Sequence, residues 1–328
     1  MKTDKNNYMK QAIKGFINQL KFEPVVENKN KLKKYKEFVV CGMGGSHLSA
    51  DLLKVWDPFL NVIIHHNYGL PATELKNKLI ILSSYSGNTE EVLNSFKEAI
   101  SKKLPIACIS IGGELLKLAE ENKVPYIKMP DTGIEPRSAL GFSIVSLLKI
   151  MNQEEALLEI KKSADFFNME NLEKEGKLLA ERLRGHIPII YASTENESVA
   201  YNWKIRFNET GKIPAFYNTF PELNHNEMVG FDREGKTHNL SKYFYFLFLK
   251  NKDDHPRNIL RMEITKEICQ EKKMPVEVIE FSGSSIWEKI FSSLLLADWT
   301  AFYIAGYYEL KAQEIEIINR FKKILKER

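Results

Sequence analysis

Two turns in the first third of the chain carry residue types suited to holding an anion. In segment 79–91 an apolar run, Leu79 to Leu82, breaks into a turn holding Ser83, Ser84, Ser86 and Thr89, and Glu90 and Glu91 then open a helical pattern. That succession predicts a buried parallel strand, a tight turn and a helix N-terminus at the strand's carboxyl end. Free N–H groups at such a terminus, hydroxyl donors and the helix dipole suit a dianion such as a sugar phosphate. A hydroxyl-rich helix cap with nothing bound has the same composition. The second turn follows the apolar run Phe38 to Cys41 and contains Gly42, Gly44, Gly45 and Ser46 ahead of another helical pattern. Its glycines let backbone N–H groups approach a ligand closely. Gly42 and Gly44 match two positions of the dinucleotide fingerprint, but His47 stands where the third glycine is required, and no Gly-Lys-Ser/Thr ending completes a nucleotide P-loop. The two turns read as a cradle for a small ligand, with nucleotides disfavoured.

Three further clusters are polar where a plain scaffold has no need of polarity. Glycines and a proline in 132–141 put Arg137 on a loop just before an apolar helix, either as a surface charge or as a clamp on phosphate or a developing oxyanion. In 203–211, Gly211 is a natural helix C-terminal cap, so Glu209 sits at the negative end of a helix dipole. That setting raises a carboxylate's pKa and suits a general base, although a solvated helix-end glutamate looks the same in sequence. In 220–228, His225 lies between Asn224 and Asn226 and close to Glu222 and Glu227. No second histidine stands at metal-ligand spacing, and His65 and His66 are adjacent on a strand and point to opposite faces, so an orienting or proton-relaying histidine is expected and no metal.

These residues have to be positioned by a large scaffold. With 328 residues, 44% hydrophobic and 27% charged, the chain is sized for two domains and buries about three quarters of its extended surface without staples. Expected strands are Glu37–Cys41, Asn61–His65, Leu79–Ser83, Pro105–Ser110 and Pro125–Lys128, with helices such as Thr89–Lys102 and Leu115–Asn122 between them. Alternation of that kind predicts one parallel sheet covered on both faces. A long helical stretch from Ala139 to about Arg184 is the expected link, placing the domains at 1–152 and 153–328. The second half carries strands at Ile187–Ala192, Ala215–Asn218, Tyr243–Leu249 and Val276–Phe281, and helices at Glu197–Asn208, Asn258–Gln270, Ile286–Gly306 and Ala312–Lys326. It reads as a second α/β unit of similar topology.

Bulk properties exclude several classes. The net charge is only +4, and the local run of lysines from Lys29 to Lys36 reads as a solvated face, so no nucleic-acid partner is expected. Cys41, Cys108 and Cys269 are far apart and form no Cys-x-x-Cys pair, which implies buried thiols in a reducing compartment. The N-terminus is polar and lacks a signal core, and no eighteen uninterrupted apolar residues occur. A cytoplasmic protein without membrane contact is expected.

The two turns, Gly44-Gly45-Ser46 and Ser84-x-Ser86-Gly87-Asn88-Thr89-Glu90-Glu91, resemble the signature of the sugar isomerase (SIS) domain. Together with 135–141, Asn208-Glu209 and 222–227, they resemble the bifunctional phosphoglucose/phosphomannose isomerases of archaea and some bacteria, from about residue 20 to the C-terminus. The resemblance implies two tandem SIS domains, each a five-stranded, doubly wound, flavodoxin-like parallel sheet flanked by helices, and a homodimer in which His225 is shared across the interface. It implies that Gly45, Ser46, Ser84, Ser86 and Thr89 hold the substrate, the last three its phosphate. Arg137 would stabilise an enediolate, Glu209 would be the base and His225 would assist ring opening. The family's Ile-x-x-Leu-Lys pattern is matched by Ile318 to Lys322 with Phe321 for leucine, which selects Lys322 over Lys311, although the usual Asp-Pro before that helix is replaced by Glu309-Leu310. The implied activity is interconversion of glucose 6-phosphate, and mannose 6-phosphate, with fructose 6-phosphate, using no cofactor. SIS domains also serve as non-catalytic sugar-phosphate sensors in transcription regulators. The roughly 36 residues before the first strand are too few for a helix-turn-helix domain, and a sensor has no need of Glu209 and His225. Amide-transfer enzymes with the same fold need a glutaminase domain with an N-terminal cysteine, which this chain lacks.

Overall fold

The computed structural model describes residues 5–231 and 235–327. The chain opens with α1 (Lys5–Lys14) and α2 (Phe16–Leu20) and then enters the first sheet through β1 (Phe38–Gly42), α3 (Gly45–Trp56), β2 (Val62–His65), β3 (Leu79–Ser83), α4 (Glu90–Ser101), β4 (Ile106–Ser110), α5 (Gly113–Glu121) and β5 (Tyr126–Lys128). All pairings are parallel and the order is β2-β1-β3-β4-β5. The central strands β1, β3 and β4 are buried at every position, as continuous apolar runs covered on both faces must be. Val39, Cys41, Ile80, Leu82 and Cys108 form one face and pack with Val92 and Phe96 of α4 and Leu115 and Ala119 of α5. On the other face lie α3 and α6 (Leu140–Ile150), the latter buried at ten of its eleven positions.

The expected helical stretch from Ala139 to Arg184 is three helices: α6, α7 (Glu154–Ser163) and α8 (Met169–Arg182). Asn152 adopts a left-handed φ of 58° after α6. Asn168 caps α8 by accepting from Asn171 N–H at 3.0 Å. Two compact units result, one of residues 14–167 with Ser285–Trp287 and the other of α1 up to Ile13, Asn168–Ser284 and the chain from Glu288. The division at 167/168 lies one helix beyond the expected 152/153, because α7 belongs with α6. The first helix groups with the second half rather than the first.

The second unit contains β6 (Ile187–Ser193), α9 (Glu197–Glu209), β7 (Phe216–Phe220), α10 (Glu227–Gly230), β8 (Phe244–Lys250), α11 (Pro256–Glu271), β9 (Val276–Glu280), α12 (Ile286–Tyr307) and α13 (Glu316–Lys326). Its sheet is parallel in the order β7-β6-β8-β9, the order of the first sheet without its last strand. Among the described residues four strands replace the five implied by resemblance, because after β9 a five-residue connection leads into α12. Ile189, Tyr191, Phe220, Phe246 and Phe248 pack with Met262 and Cys269 of α11. Among the described residues α12 alone is long and apolar enough to cross a membrane, and 72% of its apolar window is buried within the protein.

All three cysteines are free and buried. Burial pushes the Cys41 thiol up to about 12 and that of Cys269 up to about 11, and raises Cys108 as well. The native protein is therefore expected to show no fast-reacting thiol toward DTNB at pH 8 and three after denaturation; a fast thiol in the native state counts against this packing.

Candidate functional site

In the first unit, Gly44 leaves β1 with φ 52° and ψ −129°, a left-handed conformation that favours glycine, and α3 starts at Gly45. A Cβ on Gly45 would lie 2.6 Å from the carbonyl carbon of Pro136 and 2.8 Å from the Arg137 nitrogen, so only glycine lets the backbone before α6 come this close. Ser46 is buried, and its Oγ accepts from Tyr85 N–H at 2.9 Å, which joins the two turns seen in the sequence. In the second turn Ser84 Oγ and Thr89 Oγ1 are 2.8 Å apart, and Ser84 Oγ accepts from Gly87 N–H at 3.1 Å. Ser86 is exposed, with Asn88 N–H on its Oγ at 3.3 Å. Thr89 makes no side-chain cap to α4, so the first turn of this twelve-residue helix carries the N-terminal dipole uncapped by that residue. Gly87 has φ 71°, and a Cβ there would lie 1.8 Å from Gly112 O. Left-handed backbone alone costs an L-residue about 1–2 kcal/mol, and the overlap adds to it. Gly87→Ala is expected to destabilise the protein by more than ~2 kcal/mol in urea unfolding; an unchanged midpoint would show that the turn can rearrange freely.

Arg137 follows Pro136 in a short 3-10 turn before α6 and is only 2% exposed, an uncommon state for arginine. Its Nη1 lies 3.9 Å from Glu135 Oε2. The turn is held by Gln19 of α2, a residue with no sequence signal. Gln19 Nε2 donates to Ser138 O at 2.7 Å, and its Oε1 accepts from Gly141 N–H at 3.1 Å. Sequence missed Gln19 because a glutamine in a short amphipathic helix shows its partners only once the chain has folded. His47, read in the sequence only as the residue that breaks the dinucleotide fingerprint, has partners of its own. Its Nδ1 is 2.7 Å from Asp51 Oδ2, and its ring stacks on His66 at 5.3 Å. Gly45 and Ser46 at the start of α3, Ser84, Ser86 and Thr89 in the turn after β3, and Arg137 in the turn packed against Gly45 thus lie around the carboxyl ends of β1 and β3, where parallel sheets bind ligands.

In the second unit Glu209 is the last residue of α9, half-buried, with Thr210 as the helix cap. It lines a cavity of 710 Å³ together with Asn208, Lys212, Lys311 and the turn and first residues of α13. α9 is anchored by its inner face. Trp203 Nε1 donates to Ser293 Oγ at 2.9 Å, and Arg206 Nε lies 2.8 Å from Asp298 Oδ1 as a buried ion pair. His225 ends a short 3-10 turn, Glu222–His225, and is exposed. The turn is tied down by Asn224, whose Nδ2 donates to Thr265 Oγ1 at 3.0 Å, and by Glu227, which accepts from Tyr191 O–H at 2.6 Å. Lys322 is exposed on α13 and does not appear among the cavity's walls, whereas Lys311 does. Among the described residues no group of three or more His, Cys, Asp and Glu is gathered as a metal site.

The second sheet has a turn at the equivalent place, between β8 and α11, and it carries a buried carboxyl of its own. Asp254 is buried and accepts from Ser193 Oγ at 2.6 Å, Asn196 Nδ2 at 2.8 Å and Asn251 N–H at 3.1 Å. Burial raises its carboxyl pKa, with the Ser193 and Asn251 bonds opposing. His255 Nδ1 takes the Arg257 N–H at 3.1 Å, and Pro256 offers no N–H. At this helix start the Arg257 amide is thus met by a side chain of the chain itself.

The model of the family described as bacterial phospho-glucose isomerase C-terminal SIS domain matches residues 172–325. A bifunctional phosphoglucose/phosphomannose isomerase of Aquifex aeolicus is 31% identical over 96% of this chain and 98% of its own length. One of Caldicellulosiruptor bescii is 34% identical over 90% of this chain and 91% of its own. A crystal structure of a hypothetical protein of Thermus thermophilus superposes with a TM-score of 0.71 at 15% identity, covering 99% of this chain and 93% of that one, a likeness of fold. With two such relatives matched along nearly their whole lengths, the chain belongs to the bifunctional phosphoglucose/phosphomannose isomerase family.

Proposed function

We propose that the protein interconverts glucose 6-phosphate and mannose 6-phosphate with fructose 6-phosphate through a cis-enediolate. The observation that carries this reading is Glu209, a carboxylate fixed at the carboxyl end of a firmly anchored helix and facing a cavity large enough for a hexose phosphate. Aldose–ketose isomerisation moves one proton between C1 and C2, and a single carboxylate on one face of the enediolate can take it from one carbon and return it to the other. Ser84, Ser86 and Thr89, with the first amides of α4, hold the phosphate, while Gly45 and Ser46 shape the floor beneath the sugar. The buried Arg137 guanidinium balances the negative charge that develops on the enediolate oxygen.

Ring opening needs a proton delivered to the ring oxygen and one removed from the anomeric hydroxyl. His225 and Lys322 take these parts in the proposal, and Lys311, on the cavity wall, is the competing lysine. His225 serves a second copy of the chain in a homodimer. Its exposure supports that reading, as do the apolar side chains Ile317 and Phe321, which stand 82% and 63% exposed on α13 where a partner would cover them.

The test is a coupled assay of purified protein in EDTA, supplied with fructose 6-phosphate and followed for both aldose products. Both products are expected. Glucose 6-phosphate alone would restrict the C2 configuration the site accepts. Neither product, with fructose 6-phosphate still bound by calorimetry, would leave a sugar-phosphate sensor. Alanine variants of Lys322 and Lys311, assayed in the reverse direction from glucose 6-phosphate, decide which lysine acts, since only loss of the acting one lowers kcat on the cyclic aldose more than on an open-chain analogue.

A further inference from the structure

We propose that Lys212 is a positioning residue that clasps the base-bearing end of α9 to the C-terminal segment, so that Glu209 and the turn carrying Lys311 are held in one geometry. The inference rests on Glu209 being the base. A helix that ends at Glu209 leaves its last carbonyls without intrahelical partners. Thr210 N–H and Gly211 N–H both turn back to Arg206 O, at 2.9 and 3.0 Å, and Ile213 N–H reaches Phe207 O at 3.2 Å. The carbonyl of Glu209 is met instead by a side chain: Lys212 Nζ donates to it at 2.6 Å. The same ammonium donates to Glu314 O, 102 residues further along. One half-buried cation therefore bonds the backbone of the proposed base and the backbone just before α13.

What the second bond fixes follows from the turn it reaches. Glu314 N–H returns to Lys311 O at 3.3 Å, and Lys311 Nζ lies 3.0 Å from Glu314 Oε1, so residues 311–314 form one local unit. α13 begins two residues later and carries Ile317 and Ile318 onto the same cavity wall as Glu209. The segment leaves much of its apolar surface uncovered within one chain. Ala312 is buried, but Leu310, Ile317, Phe321, Ile324 and Leu325 are all 40% exposed or more. A segment packed so lightly opens cheaply unless it is tied. Asn208 reinforces the near side, its Nδ2 donating to Ile213 O at 3.0 Å. The ammonium also lies where the α9 dipole is negative, which favours the cation there.

Lys212 has φ 58°, so glycine removes the side chain without straining the backbone. With fructose 6-phosphate as substrate, Lys212→Gly is expected to lower kcat by about 10- to 100-fold, the effect of loosening a reacting group by roughly an ångström. Its KM and melting midpoint should stay close to the parent's. Lys212→Arg can reach both carbonyls and is expected to restore most of kcat. Hydrogen exchange should quicken in Lys212→Gly at 311–320 and stay unchanged in β6 and β8. Lys212→Gln replaces the glycine variant if that fails to give soluble protein. A glycine variant with parental kcat, or an arginine variant as slow as the glycine one, overturns the clasp while Glu209→Gln, if inactive, still supports the base. Glu209→Gln turning over normally removes both.

Discussion

Glu209→Gln is expected to lower kcat by about 10² to 10⁴-fold, the range for loss of a general base, with binding of fructose 6-phosphate little changed. The amide has the size of the carboxylate and can occupy the same place at the end of α9, but it cannot accept a proton from carbon. Binding is predicted to survive because the groups assigned to the phosphate, Ser84, Ser86 and Thr89, belong to other elements of the chain. Turnover by the coupled assay and affinity by calorimetry separate the two effects. A drop in affinity with kcat intact would make Glu209 a binding residue. A glutamine variant that turns over like the parent would end its assignment as the base.

The second large effect is on stability, and it concerns how Glu209 is held. Arg206, three residues earlier on α9, is 1% exposed and Asp298 on α12 is 7% exposed. Arg206 also donates through Nη1 to Asn202 Oδ1 at 2.9 Å. Removing one partner of a buried ion pair leaves the other charge uncompensated, so Asp298→Ala is expected to cost about 3–5 kcal/mol in urea unfolding. Replacing both charges with apolar residues of similar volume removes the stranded charge, and Arg206→Met with Asp298→Leu is expected to recover most of that loss. If the double variant is no better than the single one, lost packing rather than a stranded charge explains the effect. Loss of activity in the single variant beyond its unfolded fraction would further show that the pair sets the position of α9.

How much of this could be read in advance depended on how local the signal was. The nine strands of the described residues fall within two residues at either end of where the sequence put them, and β1, β3 and β4 were the plainest because a strand buried on both faces must be apolar throughout. The two turns were legible for the same reason: a glycine or hydroxyl cluster straight after such a run has few other uses. Arg137 was visible as a loop arginine but not as a buried one, since what packs around its turn, Gln19 among it, comes from more than a hundred residues away. The clasp from Lys212 to Glu314 joins residues 102 apart and leaves no periodic trace. The start of α13 was misplaced by four residues because the turn 311–314 has helix-compatible composition, and hydrogen bonds, rather than propensity, set where the helix begins.

Asp254 has a consequence for how the two sheets answer to their surroundings. On the proposed reading the first unit takes its anion from solution, whereas the second carries the Asp254 carboxyl in its turn as part of the chain. Ligand would then raise the stability of the first unit as RT ln(1 + [L]/Kd), with no such gain at the second turn. Sugar phosphate should accordingly slow amide exchange around 84–92 and leave 251–257 untouched. On that reading a duplicated fold with two such open turns would offer two phosphate sites per chain, and here the second turn holds a resident carboxyl where the first would hold an exchangeable anion.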